Sequence, residues 1–225
     1  MLLTKVQNER ARYSKRALNK SQDDRRAELL ALGRQLFAHH AYDELSIDAL
    51  AERAGVAKGL LYYYFGSKRG YYTAVIEQAA RELRERTATD PGRPPAERLA
   101  TGLDAYLDFV EQHPEGYRAL MAGGIGSDPK VRGIVSRERA AFVELIVAGL
   151  TGARRPRPAL RASLEGWLSY IEGVCLDWLD HGDLRRDAVR DLLLHALAGA
   201  LAAARAVDPR AVADPSAFGL YPGFG

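Results

Sequence analysis

Basic and aromatic side chains lie close together between residues 58 and 68, where the sequence reads KGLLYYYFGSK. Lysine ammonium groups pair with phosphate oxygens or donate to guanine O6 and N7, and tyrosine hydroxyls donate to phosphates. Three adjacent tyrosines cannot all be buried, because successive residues of a helix point in different directions. The types and spacing of these residues predict a surface that contacts nucleic acid.

Two short helices joined by a tight turn are predicted to hold this surface. Ser46 is predicted to cap the first helix. Gly55 makes the turn, because a helix–helix angle this sharp needs a residue that tolerates positive φ. The second helix, about residues 57 to 65, is predicted to bury Leu61 and Phe65 at helical spacing. The residues it turns outward are then Lys58, Gly59, Leu60, Tyr62, Tyr63 and Tyr64.

The stretch AGVAKGLLYYYFGSKRGYYTAVI, residues 54 to 76, resembles the TetR family of one-component transcriptional regulators. The family pattern is an apolar helix, a helix-turn-helix that ends in Leu-Tyr-x-x-Phe, and a Ser-Lys turn into a long fourth helix. The resemblance is strong over about residues 24 to 78 and architectural beyond them. Two residues depart from the pattern: Ala57 stands where a capping Ser or Thr is frequent, and Leu60 where a small polar residue is frequent.

The resemblance implies an all-α fold, with an N-terminal three-helix helix-turn-helix DNA-binding domain and a larger C-terminal helical domain for ligand binding and dimerisation. Carried over residue by residue, it places in the major groove, near base edges, Lys58, Gly59 and Tyr63. The residues it places on phosphates are Ser46, Tyr62, Tyr64 and Lys68. Leu60 could at most meet a thymine methyl group.

A homodimer on a palindromic double-stranded DNA operator is also implied by the resemblance. Its half-sites would lie in successive major grooves, roughly 34 Å apart or a multiple of that distance. Repression is the default expectation, and the expected signal is a small-molecule effector, lipophilic in character. The alternative is a helical protein-interaction module that uses the same aromatic helix without sequence-specific DNA binding.

Positive charge is concentrated at the start of the chain. Residues 1 to 26 carry eight Lys or Arg against three Asp or Glu, whereas the whole chain has a net charge of +3. Residues 1 to 22 are interpreted as a basic N-terminal arm, because their spacing offers no regular apolar face. Two roles stay open for the arm: a solvated tail, or a segment that lies along the DNA backbone or enters the minor groove.

Apolar periodicity predicts helices along almost the whole chain. Ser21 is predicted to cap the first helix, which ends near His39, and a long helix from Arg69 to about Arg86 leaves the DNA-binding domain. Five later helices are predicted at residues 95–112, 114–122, 128–150, 158–181 and 185–207.

These elements divide the chain after the arm into three regions. The DNA-binding domain is assigned to residues 23 to 70 and the ligand-binding and dimerisation domain to residues 71 to 208. Residues 209 to 225, rich in proline and glycine, are assigned to a flexible C-terminal tail.

Small residues mark one side of each of the last two helices, and small residues allow helices to pack closely. Such faces could simply meet the domain's own core, whereas in TetR-like proteins the last two helices pair with those of the twofold mate. The small residues are Ser163, Gly166 and Gly173 on one helix, with Tyr170 on the same side, and Ala196, Gly199, Ala200 and Ala203 on the other.

The resemblance also places a ligand pocket among the middle helices. Plain core packing is favoured over ligand contact for any one of the candidate residues, because aromatic stripes at helical spacing usually fill interiors. The aromatic and soft apolar candidates are Tyr106, Phe109, Tyr117, Met121, Phe142, Trp167, Tyr170, Cys175 and Trp178.

Two carboxylates, Glu165 and Glu172, stand seven residues apart on an otherwise apolar helix. At a rise of roughly 1.5 Å per residue they project from one face about 10.5 Å apart. A buried carboxylate needs a partner. A partner arginine or exposure at the dimer seam is favoured over a cationic ligand.

The residue content argues against catalysis and membrane insertion. The five histidines show no metal-ligand spacing, and the single cysteine excludes an intramolecular disulfide. No stretch approaches the roughly 20 uninterrupted apolar residues of a membrane span, and the first residues lack the apolar core of a signal peptide. A cytoplasmic, non-enzymatic protein with no cofactor or metal is therefore expected.

Overall fold

The computed structural model describes residues 22–88, 90, 92–121, 128–152 and 155–213. Within these residues the chain forms nine α-helices, one 3₁₀ turn (Tyr42–Glu44) and no strand, which confirms the predicted all-α fold. The helices are α1 (Gln22–His39), α2 (Ile47–Arg53), α3 (Lys58–Phe65), α4 (Lys68–Thr87), α5 (Pro95–Gln112), α6 (Pro114–Met121), α7 (Pro129–Thr151), α8 (Pro158–His181) and α9 (Arg186–Val207).

Local chemistry sets the helix ends where the sequence predicted them. The hydroxyl of Ser46 accepts a hydrogen bond from the amide of Ala49 and caps α2 (3.1 Å). Gly152 and Gly182 end α7 and α8 with φ values of 65° and 64°, which a glycine adopts without steric cost. The predicted cap at Ser21 lies outside the described residues.

A first apolar core holds α1 to α4 together. Gly33 of α1 packs so closely on α4 that a Cβ atom there would lie 2.6 Å from Cγ2 of Val75. The hydroxyl of Tyr71 in α4 donates to the carbonyl of Leu29 in α1. The buried members of this core are Leu29, Leu30, Phe37, Leu45, Leu50, Ala51, Leu61, Tyr71, Tyr72, Ala74, Val75 and Val131.

Helix α7 ties the first core to the rest of the molecule. Its residue Val131 is fully buried in that core. Asp128 caps α7 by accepting from the amide of Lys130 (2.8 Å), and its second oxygen pairs with Arg69 at the start of α4 (2.5 Å). The helix that leaves the first four-helix unit is therefore anchored at its N-terminal end to the larger unit.

A second, larger core is built from α5 to α9, and α8 with α9 forms the most extensive helix pair among the described residues. Two indole groups fix this pair. Nε1 of Trp167 donates to the carbonyl of Leu193 (2.9 Å), and Nε1 of Trp178 donates to the carbonyl of Leu184 (3.0 Å). Burying each indole is favourable because its one polar atom finds a partner.

The predicted tail needs a correction at its start. Ala211 and Val212 are buried against the second core, and Arg205 donates to the carbonyl of Val212 (3.1 Å). The chain turns back after α9 because two apolar side chains gain burial there. Packed structure therefore continues beyond residue 208, and the rest of the predicted tail, residues 214 to 225, lies outside the described part.

Candidate nucleic-acid interface and internal cavity

The turn between α2 and α3 has the geometry that the sequence predicted. Gly55 has a φ of 59°, and the next amide, of Val56, donates to the carbonyl of Ala51 (3.0 Å). Ala51 is buried, and its small side chain lets α3 cross α2 closely. Ala57, the residue before α3, supplies no side-chain cap, because its methyl group has no hydrogen-bond acceptor.

Helix α3 presents a polar and aromatic surface to solvent. Lys58 and Gly59 are exposed, and the rings of Tyr62 and Tyr63 are 44% and 67% exposed. The hydroxyl of Tyr63 accepts a hydrogen bond from the side chain of Gln22 in α1 (3.1 Å). Exposed tyrosines on a helix bordered by a turn form a surface that can contact a groove.

Three residues of α3 depart from the predicted pattern. Leu60 and Tyr64, expected to face outward, are half-buried and pack against the first core. Phe65, expected to be buried, is also half-buried. The short helix α3 cannot bury all of its apolar side chains. Leu60 gains more free energy by covering the core than by full exposure.

Lys58 forms an ion pair with Asp48 of α2 (Nζ to Oδ1, 2.8 Å). The hydrogen bond that Lys58 donates to this carboxylate raises the pKa of the lysine, which is charged at neutral pH. Both groups are exposed to solvent, where such pairs contribute little stability. The ammonium can therefore exchange Asp48 for an acceptor on a base or phosphate.

Lys68 and Ser46 lie at the starts of two helices. The ammonium of Lys68 stands over the ring of Tyr42 (4.0 Å to the ring centre), a cation–π contact that orients it. The hydroxyl of Ser46 uses an acceptor position to cap α2, so its own hydrogen stays available to donate. Ser67 caps α4 in the same way, with the amide of Gly70 as donor (2.9 Å).

A cavity of about 220 Å³ that opens to solvent lies between α1, α4, α5, α6, α7 and α8. Its walls are mostly apolar. Of the eleven pocket candidates proposed from the sequence, seven line it: Tyr106, Phe109, Tyr117, Met121, Phe142, Trp167 and Glu172.

The other four candidates, Glu165, Tyr170, Cys175 and Trp178, are not part of the cavity wall. Arg139 of α7 lies between the two carboxylates. Its Nη1 donates to Glu172 and its Nη2 to Glu165 (3.1 Å), while Nη2 also donates to Ser169 (3.0 Å). The partner arginine favoured by the sequence analysis is thus confirmed, and Arg139 is the residue that sequence spacing could not identify.

Two tyrosine hydroxyls meet in the cavity wall. Those of Tyr106 and Tyr117 are 3.0 Å apart and share a hydrogen bond. Burial raises the pKa of both hydroxyls far above the ordinary value, so both are neutral. Burial also raises the pKa of the nearby Cys175 thiol to about 12, so this cysteine is an inert core residue.

The cavity also reaches the first four-helix unit (α1 to α4), which contains the helix-turn-helix; the sequence did not indicate this contact. Phe37 and Ala38 at the end of α1 form part of its wall, together with Val75 and Ile76 of α4. Phe37 packs edge-to-face on Tyr72, with ring centres 4.8 Å apart. No sequence signal separates an apolar residue that only fills a core from one that also borders a cavity.

Metal clusters and membrane spans are both absent from the described part of the chain. No group of three or more His, Cys, Asp or Glu side chains there could hold a metal ion. None of the described helices has the length and apolar character needed to cross a bilayer.

A helix-turn-helix with an exposed lysine and tyrosine surface, joined through one long helix to a cavity-bearing helical domain, defines a one-component DNA-binding regulator. The chain belongs to the TetR family of bacterial regulatory proteins. Residues 29–75 match the model of the tetR family of bacterial regulatory proteins, and residues 95–200 match that of the tetracyclin repressor-like C-terminal domain. The chain is thus a DNA-binding transcriptional regulator.

Individual relatives agree with this assignment. The chain is 33% identical over 115 residues to the transcriptional activator FasR of Mycolicibacterium smegmatis, a match that covers 48% of this chain and 51%, about half, of that relative. It is 30% identical to the regulator BetI of Stenotrophomonas maltophilia, covering 68% and 80% of the two chains. A TetR-family regulator from Streptomyces coelicolor superposes with a TM-score of 0.79 at 30% identity, over 88% of each chain.

Proposed function

We propose that the protein is an effector-released repressor that binds a palindromic operator as a homodimer. The observation that carries the proposal is the shared wall between the cavity and the DNA-binding unit, at Phe37 and Ala38 of α1 and Val75 of α4. A molecule that fills the cavity touches helices that carry α3. Its binding can release DNA to the extent that it favours a different placement of those helices.

For the operator, α3 supplies the reading surface. Lys58 donates to guanine, while Gly59 lets the backbone approach the bases and Tyr63 lies near base edges. The phosphate contacts come from Ser46, Tyr62, Tyr64 and Lys68. Leu60 retains only apolar contact with a thymine methyl group, and its half-buried position supports no larger role.

The homodimer is supported by uncovered small residues on α8 and α9. A Cβ atom added at Gly166, Gly173 or Gly199 would meet no atom within 4 Å, so the core of the protomer does not use these faces. Tyr170 and Leu192 on the same helices are 41% and 39% exposed. A second copy would bury them, and an isologous four-helix contact places two α3 helices on one DNA face.

The effector proposed for the cavity is lipophilic and uncharged. Apolar walls favour an apolar body. A cation is disfavoured because both acidic residues of the wall already have partners: Glu172 accepts a hydrogen bond from Arg139, and Glu138 forms an ion pair with Arg84. Since DNA is the target, the protein acts in the cytoplasm, and regulation by binding requires no cofactor, metal or catalysis.

The proposal is tested first with DNA alone. The purified protein is incubated with a random duplex pool, the bound DNA is sequenced, and the selected duplex is footprinted. An inverted repeat whose half-sites are protected on one face supports the dimeric regulator. Failure to enrich any duplex, together with salt-insensitive capture of a protein, would instead favour the helical interaction module.

The second step uses the selected duplex to test the effector. Neutral, anionic and cationic compounds with the same alkyl chain are screened for release of bound DNA. Release by neutral compounds at the lowest concentration is expected. If no lipophilic compound changes operator affinity, the effector part of the proposal is wrong, whereas the operator part stands.

A further inference from the structure

The tyrosine pair is a neutral polar point in an otherwise apolar part of the cavity wall. Both tyrosines line the cavity; Tyr117 is buried, whereas Tyr106 is half-buried. Removal from bulk water nevertheless dominates the raised pKa of Tyr106. Tyr106 therefore presents part of its surface to the cavity.

The pair keeps spare hydrogen-bonding capacity. A hydroxyl has one hydrogen and two acceptor positions, and one hydrogen suffices to join Tyr106 to Tyr117. When Tyr117 donates to the neighbouring sulfur of Cys175, Tyr106 donates to Tyr117 and its oxygen can accept from a ligand. When Tyr117 donates to Tyr106, the hydrogen of Tyr106 can be donated to a ligand.

The surrounding charges select against an ionised group at this point. The nearest charged groups, Glu172 and Arg139, already pair with each other, so an anionic head group would have to displace the Glu172 carboxylate from Arg139. A cation would have to displace Arg139 from Glu172. A hydroxyl or a carbonyl group meets neither obstacle.

We propose that the effector is an uncharged amphiphile whose apolar body fills the cavity and whose single hydroxyl or carbonyl group forms a hydrogen bond with Tyr106. The proposal rests on the function proposed above, because it concerns the same cavity. It adds the chemical class of the effector and the residue that recognises its polar group.

Four probes with one alkyl chain test this class: octanol, 1-chlorooctane, octanoate and octyltrimethylammonium. Their dissociation constants are measured by calorimetry on the full chain without DNA. Octanol is expected to bind tightest. Tyr106→Phe should lower the preference for octanol over 1-chlorooctane by roughly 3- to 10-fold, the value of one net hydrogen bond, and leave 1-chlorooctane binding unchanged.

Two control variants separate recognition from general damage. Thr101→Val removes a hydroxyl that is exposed on α5, the helix of Tyr106, and absent from the cavity wall, so it should change none of the four constants. Tyr117→Phe leaves the Tyr106 hydroxyl in place and should retain the preference for octanol.

Four other outcomes of these measurements would contradict the inference. It is overturned if the preference for octanol survives Tyr106→Phe, if Tyr117→Phe removes it equally, if a charged probe binds tighter than octanol, or if none of the probes binds. Ligand binding is measured without DNA, so it can be separated from release of the operator. If octanol binds through Tyr106 but does not release the operator, the proposed function is contradicted, whereas the proposed ligand class stands.

Discussion

Gly116 of α6 lies against the backbone of Phe37 in α1, so closely that a Cβ atom at residue 116 would stand 2.8 Å from the carbonyl oxygen of Phe37. Both residues line the cavity. Helix α6, which forms part of the cavity wall, therefore touches α1 with no side chain between the two helices. Because the contact is to a backbone atom, an added methyl group can be accommodated only by a shift of a helix.

Gly116→Ala is expected to weaken operator binding in the absence of any effector. The added methyl group costs roughly 1–3 kcal/mol of overpacking, and this strain is relieved in states in which α1 has moved away from α6. Operator affinity is measured by fluorescence anisotropy on the selected duplex, and folding by thermal unfolding.

Gly102→Ala is the matched control for this substitution. Gly102 is also helical and also lines the cavity, but a Cβ atom there would lie 3.8 Å from its nearest neighbour, the carbonyl oxygen of Thr87. The Gly102→Ala variant should be more stable by up to about 1 kcal/mol, because alanine has a higher helix propensity than glycine, and its DNA binding should be unchanged. Equal operator affinity for both variants would argue against coupling through α1.

Lys58→Ala and Lys68→Ala are expected to affect DNA binding in different ways. Loss of Lys58 should relax the preference for guanine at one position, since a good base contact is worth roughly 1–3 kcal/mol of discrimination. Loss of Lys68 should weaken all duplexes alike and reduce the salt slope by about 0.9. Binding to single-base variants of the selected duplex checks both, and sequence-blind losses of equal size would refute the assignment.

How much of this structure the sequence predicts depends on how far apart in the chain the interacting residues lie. The turn at Gly55, the cap at Ser46 and the proline-initiated helices follow from neighbouring residues, and the structure confirms them. Arg139 and Phe37 could not be assigned from the sequence, because their roles depend on contacts with α8 and α4, far along the chain. The family resemblance named the cavity residues, but periodicity alone could not distinguish them from plain core.

Deleting residues 1 to 20 is expected to change DNA affinity and not fold stability. The segment carries six Lys or Arg and one Glu and has no regular apolar face that could dock. The melting temperature should stay nearly constant, while the slope of log affinity against log salt falls by about 0.9 for each phosphate that the deleted arm would have neutralised. An unchanged slope would identify the segment as a solvated tail with no role in binding.

Gly173→Arg is expected to prevent dimer formation without unfolding the protomer. Nothing within 4 Å of the protomer opposes a side chain at Gly173, so the stability of the single chain is preserved. A bulky cation on this small-residue face would separate two copies of α8. Sedimentation velocity measures the change, with Ala140→Arg, an exposed position of α7, as the control. A Gly173→Arg variant with the wild-type mass would place the dimer contact elsewhere.

Arg139→Gln is expected to change which head group the cavity accepts. Arg139 neutralises Glu172 at the cavity wall and also holds Glu165, so its loss leaves two partly buried carboxylates with one neutral partner. When a hydrogen-bonded group loses its charged partner, the loss costs roughly 1–3 kcal/mol of stability, which lowers the melting temperature.

In Arg139→Gln, the uncompensated charge of Glu172 should then attract octyltrimethylammonium, which the wild type disfavours, and should repel octanoate further. Calorimetry with the two probes measures the reversal, and Arg137→Gln, an exposed arginine on the same helix, should leave the order of affinities as it is. If Arg139→Gln also leaves that order unchanged, the ion pair is not what excludes cations, and the shape of the apolar wall must be responsible.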